Sequence, residues 1–176
     1  MLIKTIFAGF GGQGVLLMGR SLAQAAMLEG KNVVYFPSYG PEVRGGTANC
    51  TVAISDEEIA SPIASSPEFV VVMNQPSLVR FQNHIQSGGV LFVNSSLVDT
   101  EILRGDIDII RVPVNEIAEK LRSPKSANMV MLGTFIKKSN LVSMNTIIES
   151  LRNMLDNKKK LLATTEKALM AGYELI

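Results

Sequence analysis

The sequence has one cysteine and no tryptophan, and these scarcities already exclude several classes of protein. The single cysteine, Cys50, cannot form a disulfide within the chain. One cysteine also cannot supply the ligands of a typical Cys-rich zinc site or an iron–sulfur cluster. Asp106 and Asp108 lie close together in the sequence, but no third ligand accompanies them. We therefore predict no metal site, and a cytoplasmic protein in a reducing environment.

The chain also lacks an excess of either charge and any long hydrophobic run. Lys and Arg number 17 against 16 Asp and Glu, which gives a net charge of +1. A nucleic-acid partner is excluded on this basis, because counterion release requires clustered positive charge. The longest purely apolar stretches, such as residues 69–73, are far shorter than the ~18 residues of a membrane span. Gly9, Gly11 and Gly12 interrupt the apolar N-terminal segment, so it predicts a buried first strand and no signal peptide.

What the sequence does contain is an alternation of short β-type segments with helical ones. The 176 residues are 47% hydrophobic, which suffices for one domain, residues 1–176, with a substantial core. The alternation predicts an α/β fold: a single three-layer domain with a mostly parallel sheet, helices on both faces and a Rossmann-like glycine loop after the first strand. Predicted strands are residues 3–8, 32–36, 47–54, 69–73, 90–93 and 107–112. Predicted helices are residues 14–28, 115–121, 127–138, 144–155 and 158–173, with another from about residue 76.

Two of the predicted helices are unusually apolar. Residues 15–28 have clearly polar side chains only at Arg20, Ser21 and Gln24, and residues 129–136 have almost no polar face. A helix that is apolar nearly all round is covered on nearly all sides. The cover is either a partner protein, in which case the isolated chain self-associates, or the core of the chain's own three-layer fold. The sequence leaves both alternatives open.

The first motif with chemical meaning is a glycine loop between a predicted strand and a predicted helix. Gly9, Gly11 and Gly14 satisfy the G-x-G-x-x-G fingerprint, with Gly12 and Gln13 between them. Such a loop permits a tight turn, and the start of the helix attracts an anion through its free N–H groups. Residues 33–38 offer no acidic side chain for a ribose hydroxyl, so the second half of a dinucleotide site is missing. The loop is therefore either an anion site or a structural turn.

A second motif occupies residues 38–46, whose sequence is SYGPEVRGG. It follows a predicted parallel strand, which places it at the carboxyl edge of the sheet beside the glycine loop. Glu42 and Arg44 are either ligand or interface groups or a charge pair in a solvated loop. Elsewhere, His84 is interpreted as a surface residue and Cys50 as a small buried hydrophobic residue. The runs Lys137-Lys138 and Lys158-Lys159-Lys160 are interpreted as solvated helix ends.

Together the motifs resemble those of one family, the gamma subunits of 2-oxoacid:ferredoxin (acceptor) oxidoreductases, also called the pyruvate/ketoisovalerate oxidoreductase catalytic domain. The resemblance extends over essentially the whole chain, and its form is most similar to the 2-oxoglutarate branch. The segments that carry it are GFGGQGV at residues 9–15, SYGPEVRGGTANC at 38–50, SDEEIASP at 55–62, NMVMLG at 128–133 and EKALMAGY at 166–173.

The resemblance implies a subunit of an assembly that oxidatively decarboxylates a 2-oxo acid to acyl-CoA and CO2. It implies that thiamine diphosphate and iron–sulfur clusters are held by alpha-, beta- and delta-type partner subunits, with ferredoxin as the acceptor. Coenzyme A is then a shared substrate, and this chain alone binds no cofactor. In agreement, the Gly-Asp-Gly thiamine motif is absent, because Gly105-Asp106 is followed by Ile107. The isolated chain is therefore expected to be colourless and inactive, with no catalytic residue of its own.

The resemblance also transfers a set of candidate site residues. The glycine loop would face a coenzyme A phosphate, the second loop would face the thiamine-binding partner, and a helix start would lie close to the same edge. These residues are Gly9, Gly11, Gly12, Gln13, Gly14, Tyr39, Glu42, Arg44, Gly45, Gly46, Asn128 and Met129. Alternatives that stay open are an indolepyruvate- or pyruvate-type oxidoreductase subunit, a pure assembly module with an empty glycine loop, and a stand-alone NAD(P)- or flavin-dependent oxidoreductase.

Overall fold

A computed structural model describes residues 1–39, 47–155 and 158–176, with Tyr39 described by its backbone only. Within these ranges six strands form one sheet in the order β2-β3-β1-β4-β5-β6. The strands are β1 (Leu2–Phe10), β2 (Asn32–Tyr39), β3 (Thr47–Ser55), β4 (Phe69–Val72), β5 (Val90–Asn94) and β6 (Asp108–Val112). All six predicted strands are confirmed, with ends that differ by a few residues at most.

The sheet is mostly parallel, as predicted, with one reversed strand. Strands β1, β4, β5 and β6 pair in parallel, whereas β3 is antiparallel to both β1 and β2. Consequently β2 runs in the same direction as β1 although the two are not neighbours. Residues 40–46 connect β2 to β3 and are too few for the crossover of a dozen or more residues that a parallel pair requires. The short connection therefore fixes the reversal of β3.

Within the three described ranges six helices accompany the sheet, and the predicted helical segments are confirmed. They are α1 (Val15–Leu28), α2 (Gln75–Phe81), α3 (Val114–Lys120), α4 (Ala127–Ser139), α5 (Met144–Met154) and α6 (Lys159–Tyr173), and a short 3-10 turn, Pro124–Ser126, precedes α4. Asn74 begins α2 as an N-cap by accepting a hydrogen bond from the N–H of Ser77, and Ser143 caps α5 in the same way. No helix in the described part of the chain is both long enough and apolar enough to cross a membrane.

The sheet divides the core into two unequal layers. One face packs Phe7, Val71 and Phe92 against a layer built from α1, α3, α4, α5 and α6. The other face packs Ile6 and Val70 against Leu78, Phe81 and Ile85 of α2 and its following turn. Residues alternate between the faces along β1 and β4, as the two-residue repeat of a strand requires. Helices therefore cover both faces, although one layer is much thicker than the other.

Helix α4 is part of this core, so the structure decides between the two explanations for its apolar sequence. Every residue from Asn128 to Ile136 is buried within the chain itself. The ring of Phe135 lies 5.3 Å from those of Phe7 and Phe92, measured between centroids, which anchors α4 on the centre of the sheet. Of the two alternatives left open by the sequence, the structure therefore supports the core of the chain's own fold for residues 129–136, since α6 and the sheet cover that helix.

Helix α1 is covered in the same manner along most of its length. Its buried side chains, Met18, Leu22 and Ala26 among them, face the sheet and α5. Only its last turn presents large apolar side chains to solvent, at Met27 and Leu28. The buried face of this helix therefore needs no partner protein as its cover, because the sheet and α5 cover it.

Candidate functional site at the carboxyl edge of the sheet

The candidate residues converge at the edge where the parallel strands end. Gly9 near the end of β1 pairs with Ala48 of β3, and Ala48 pairs in turn with Tyr39 at the end of β2. The glycine loop therefore lies next to Tyr39 and Thr47, the residues that flank the 40–46 connection, at the same edge of the sheet. This is the edge at which open α/β sheets bind their ligands. Tyr39 and Thr47, the described residues that flank the second loop, lie beside the glycine loop, at the edge where the sequence analysis expects that loop.

The glycine loop forms the turn between β1 and α1 in a conformation that only glycine adopts readily. Gly12 has φ +96° and Gly14 has φ +73°, and Gly14 is the N-cap of α1. No side chain caps the start of α1. Helix starts leave the first N–H groups without an intrahelical partner, so those of α1 are available to an anion or to water. Gly11 and Gly12 are exposed, which leaves the outer side of the turn open.

The inner side of the loop is tightly packed. A Cβ on Gly14 would overlap the side-chain amide of Asn128, whose Nδ2 donates to the carbonyl oxygen of Gly14 at 3.3 Å. A Cβ on Gly9 would lie 2.9 Å from Cγ1 of Val15 and 3.1 Å from Cβ of Met73. Gly9 and Gly14 therefore serve close packing, whereas Gly12 serves backbone conformation alone. The structure thus joins Asn128, which the resemblance placed at a helix start close to this edge, to the glycine loop.

Gln13 fastens the loop to the neighbouring strand. Its Oε1 accepts from the backbone N–H of Phe10 at 2.7 Å and from Nδ2 of Asn74 at 2.8 Å. Its Nε2 donates to the carbonyl oxygen of Met73 at 3.2 Å. The side chain that the glycine fingerprint leaves unspecified therefore determines the position of the loop over the end of β4.

Three asparagines that the sequence analysis did not select continue this network across the sheet edge. Asn74 follows β4, Asn94 ends β5 and Asn115 lies just after β6. Nδ2 of Asn94 donates to the carbonyl oxygen of Met73 at 3.1 Å and to Oδ1 of Asn115 at 2.9 Å. Asn74 and Asn94 are almost fully buried. Their signal in the sequence was the recurrence of asparagine at the carboxyl end of successive parallel strands.

Part of the predicted site cannot be placed. Glu42, Arg44, Gly45 and Gly46 lie outside the described residues, as does the side chain of Tyr39. Their suggested roles therefore remain predictions. Met129 and Asn128 are buried at the start of α4 and line a larger groove beside the glycine loop.

The space at the glycine loop itself is small, and the described residues that line it carry no charge. A cavity of about 200 Å³ is lined by loop residues, by Val15 and Leu16 of α1 and by Ala48 of β3. Ligand pockets for drug-sized molecules are usually larger, at ~300–1,000 Å³. The cavity fits one phosphate-sized group better than a whole dinucleotide. Within the described ranges, no group of three or more His, Cys, Asp or Glu side chains could hold a metal ion.

The remaining reactive side chains lie away from this edge or are inert. His84 is exposed beside the ring of Phe81, as expected of a surface residue. Cys50 is fully buried under α1, and burial raises the pKa of its thiol to about 12. Its interpretation as a small buried hydrophobic residue is confirmed. A thiol with so high a pKa is no nucleophile at neutral pH.

Comparison with known proteins assigns the family. Residues 4–175 match the family model described as pyruvate ferredoxin/flavodoxin oxidoreductase. The chain belongs to this family. The match includes the glycine loop, the 40–46 connection and the start of α4, so the family resemblance inferred from those motifs is confirmed.

Two curated relatives come from methanogenic archaea. The chain is 38% identical over 174 residues to the 2-oxoglutarate synthase subunit KorC of Methanocaldococcus jannaschii, covering 96% of this chain and 90% of KorC. It is also 38% identical over 174 residues to the ketoisovalerate oxidoreductase subunit VorA of Methanothermobacter thermautotrophicus, covering 98% of this chain. The chain spans only 36% of the length of that VorA protein. The named relatives are thus oxidoreductase subunits, in one case with additional chain.

Solved structures agree with the fold. The gamma subunit of a keto/oxoacid ferredoxin oxidoreductase from Geobacter sulfurreducens matches with a TM-score of 0.87 at 27% identity, over 99% of this chain and 95% of that one. A 2-oxoglutarate:ferredoxin oxidoreductase from Magnetococcus marinus, solved with 2-oxoglutarate, coenzyme A and succinyl-CoA bound, matches with a TM-score of 0.91 at 25% identity. The match covers 99% of this chain and 31% of that chain. The single-domain α/β architecture is therefore that of a gamma subunit.

Proposed function

We propose that this chain is the gamma-type component of a 2-oxoacid:ferredoxin oxidoreductase. The assembly would convert 2-oxoglutarate or a related 2-oxo acid, together with coenzyme A, to acyl-CoA and CO2, and would pass the electrons to ferredoxin. The observation that carries the proposal is the family match over residues 4–175, joined to the high similarity to KorC and to a gamma subunit. The stand-alone NAD(P) or flavin enzyme is disfavoured by this match and by the small cavity at the glycine loop.

The redox cofactors belong, in this proposal, to the partner subunits. A chain with a single cysteine, buried at that, cannot supply the thiolates of an iron–sulfur cluster. The sequence also lacks the Gly-Asp-Gly motif of thiamine diphosphate sites. Alpha-, beta- and delta-type subunits would supply these groups, and the assembly would work in the cytoplasm. The gamma-type chain would then contribute binding and positioning rather than electron transfer.

The carboxyl edge of the sheet is the face proposed to meet the shared ligand and the partners. The glycine loop presents the free N–H groups of α1 on its open side, with room for one phosphate-sized group. The 40–46 connection, with Glu42 and Arg44, begins and ends on the same edge. An arginine suits bidentate recognition of a carboxylate or phosphate, whether on coenzyme A or on a partner subunit.

Reconstitution tests this function directly. The purified chain, the purified partner subunits and the complex of all of them are assayed with coenzyme A, a dye acceptor and one 2-oxo acid at a time. We expect no turnover by the chain alone and full turnover only by the complex. Turnover by the isolated chain, or a complex that works equally well without it, would contradict the proposal.

The substrate panel comprises 2-oxoglutarate, 2-oxoisovalerate, pyruvate and indolepyruvate. The resemblance to the 2-oxoglutarate branch predicts the highest kcat/KM for 2-oxoglutarate. A clear preference for pyruvate or indolepyruvate would assign the chain to one of the alternative branches. The gamma-type role itself would survive that result.

A further inference from the structure

A pocket of about 260 Å³ lies at the opposite end of the sheet from the glycine loop. Ile3 near the start of β1 and its cross-strand partner Ile54 near the end of β3 both line it. We call it the amino-edge pocket. Ile3 and Gly9 belong to the same strand and are about 20 Å apart at the usual rise per residue. The amino-edge pocket and the carboxyl edge are therefore separate places on the molecule.

One wall of the amino-edge pocket is aliphatic. Ile54 is almost fully buried, and Ile3 lies beside it on the sheet face that carries Phe7. Leu141, which follows α4, also lines the pocket. Sites for drug-sized ligands usually have volumes of ~300–1,000 Å³, and this pocket is slightly smaller. It therefore fits a small metabolite with a short aliphatic chain.

Two buried hydroxyls at this end of the core lack a hydrogen-bond partner. In the described part of the chain, Oγ1 of Thr5 and Oγ of Ser139 are the only buried side-chain oxygen or nitrogen atoms in this state. Ser139 lines the pocket, whereas Thr5 lies deeper on the same sheet face, two residues after Ile3. Buried polar groups in native proteins are nearly always paired with protein, water or ligand. A polar occupant of the pocket would supply a partner for Ser139.

Ser139 is the residue of the last turn of α4 that borders the pocket. The two residues before it have other partners: Lys137 lies over the ring of Tyr173, and Lys138 pairs with Asp108. A serine hydroxyl can take three staggered positions about its Cα–Cβ bond. Turning toward an occupant costs Ser139 no existing hydrogen bond.

Lys31 supplies positive charge on one side of the pocket. Its ammonium pairs with Asp56, which also accepts from the amino group of Met1 at 3.2 Å. The hydrogen bond from Asp56 raises the pKa of Lys31, and the nearby Glu29 carboxylate adds to this effect, so Lys31 is charged at neutral pH. An ammonium has three N–H donors. Lys31 can therefore bind a carboxylate while it keeps its contact with Asp56.

The end of α4 supplies partial negative charge on the other side. The carbonyl oxygen of Ile136 accepts from the N–H of Asn140, but no described donor reaches the carbonyl oxygens of residues 137–139. The last carbonyl groups of a helix have no intrahelical partner, and the helix dipole favours a cation at this end. Ser139 and Asn140 bring this helix end to the pocket. An ammonium group is the matching ligand chemistry.

We propose that the amino-edge pocket binds a small aliphatic α-amino acid, with its carboxylate on Lys31, its ammonium at the end of α4 beside Ser139 and its side chain against Ile54. A simple carboxylate would leave the helix end unused, and a simple amine would leave Lys31 unused. Water alone is the competing occupant, but water gains nothing from the aliphatic wall. The proposed function uses the other edge of the sheet, so this inference does not depend on it.

Amide NMR of the full chain tests the proposal, because it detects weak binding and locates it. The three probes share one carbon skeleton: L-valine, 2-oxoisovalerate, which lacks the ammonium, and isobutylamine, which lacks the carboxylate. We expect L-valine to shift the signals of Lys31, Asn140 and Leu141 saturably, with a Kd on the order of 1 mM, while those of Gly11 and Gly12 stay in place. The other two probes should bind about tenfold more weakly, because each lacks one charge-assisted contact.

Three results of this titration would overturn the proposal. The first is the absence of any saturable shift with L-valine, which would leave water as the occupant. The second is equal binding of all three probes, which would mean that the two charged groups are not recognised. The third is a set of shifts confined to Gly11 and Gly12, which would place the binding at the carboxyl edge.

Lys31→Gln and Lys138→Gln form a matched pair of variants. Each lysine pairs with one aspartate, and their side chains are similarly exposed, at 37% and 38%, but only Lys31 lines the pocket. Lys31→Gln should weaken L-valine binding about fivefold or more and remove its advantage over isobutylamine. Lys138→Gln should leave L-valine binding within about twofold. Equal effects of the two variants would contradict the assigned carboxylate contact.

Ser139→Ala and Thr5→Val separate the two buried hydroxyls. Both variants remove a hydroxyl that has no described partner, so neither should lower the melting temperature. Ser139→Ala should weaken L-valine binding several-fold, because the ligand loses a hydrogen bond, whereas Thr5→Val should leave it unchanged because Thr5 does not line the pocket. Unchanged affinity in Ser139→Ala, or an equal loss in both variants, would contradict the placement of the ligand beside Ser139.

Discussion

Gly12 and Gly14 stand two residues apart in one loop, yet their surroundings differ completely. Both have positive φ, which L side chains adopt at a cost of ~1–2 kcal/mol. A Cβ on Gly12 would meet nothing within 4 Å, whereas a Cβ on Gly14 would overlap the amide of Asn128. The fingerprint presents the two glycines as equivalent, but packing separates them.

This difference gives a stability prediction. Gly12→Ala should lower the free energy of unfolding by about 1–2 kcal/mol through backbone strain alone. Gly14→Ala should lower it by at least a further ~1 kcal/mol, because Asn128 must move and lose its hydrogen bond to Gly14. Urea denaturation of both variants measures the difference. Equal losses in the free energy of unfolding would mean that the side chain of Asn128 can move aside without destabilising the protein.

Arg44 is predicted to matter for function more than for folding. It lies in the connection whose ends, Tyr39 and Thr47, are fixed at the carboxyl edge of the sheet. Arg44→Ala should reduce turnover of the reconstituted complex, or its response to coenzyme A, by about ten- to a hundredfold, since a charge-assisted contact contributes roughly 1.5–3 kcal/mol. Arg44→Lys should remain impaired, because lysine keeps the charge but loses the planar fork.

The control for Arg44 is the melting temperature of the isolated variant chains. A residue that acts in binding and not in the core usually changes stability by no more than ~0.5 kcal/mol, so this assignment of Arg44 predicts a melting temperature that barely moves. If Arg44→Ala instead unfolds the chain, or if turnover is unaffected, the connection has a structural role and the assignment of Arg44 is wrong.

At the scale of elements, the close crossing of α4 and α6 explains how so apolar a helix is covered. A Cβ on Gly133 of α4 would overlap the backbone carbonyl of Leu169, and one on Gly172 of α6 would overlap that of Val130. Thr134 donates to the carbonyl oxygen of Gly172 at 2.9 Å at the same crossing. Two glycines on facing helices thus let the backbones touch, and α6 shields the outer side of α4.

Substitution at this crossing should separate the helices. Gly172→Ala forces a methyl group against backbone that cannot turn aside, and overpacking of this kind costs ~1–3 kcal/mol. Gly105→Ala is the matched control, because its added Cβ would meet nothing within 4 Å and its φ is not positive. We expect Gly172→Ala to lower the melting temperature strongly. Gly105→Ala should change the free energy of unfolding by less than ~0.5 kcal/mol and leave the melting temperature nearly the same. A tolerated Gly172→Ala would indicate that the crossing is looser than described.

At the scale of the whole molecule, Cys50 reports on global unfolding. Its thiol is fully buried between β3 and α1, and burial raises its pKa to about 12, so hardly any thiolate exists at pH 8. Labelling with a thiol reagent at pH 8 should therefore be limited by opening of the core and should accelerate with denaturant. A double variant, Cys50→Ala with Ser66→Cys, places the thiol on an exposed segment and should label at once. Rapid labelling of native Cys50 would show that α1 detaches locally.

Much of the fold was predictable because hydrophobic periodicity and length identify strands and helices locally. The strands around Phe7, Val71 and Phe92 were recognisable as short apolar runs between turn residues, and α1 and α4 as longer proline-free segments. The family was recognisable as well, since the motif at residues 38–50 and the glycine loop are contiguous in sequence. Side-chain roles were less accessible: Gln13 was selected as a loop residue, but its hydrogen bonds to Asn74 and Met73 connect residues about 60 positions apart.

The sequence by itself determined the secondary structure, the mostly parallel α/β class, the buried state of Cys50 and the family. Only the tertiary structure decided that α4 is covered by its own chain, that Asn94 joins the network at the sheet edge and that Lys31 and Ser139 line one pocket. The physical reason is distance along the chain. Local sequence sets propensities and hydrophobic patterns, whereas burial, hydrogen-bond partners and clustered charge depend on which distant segments the packing brings together.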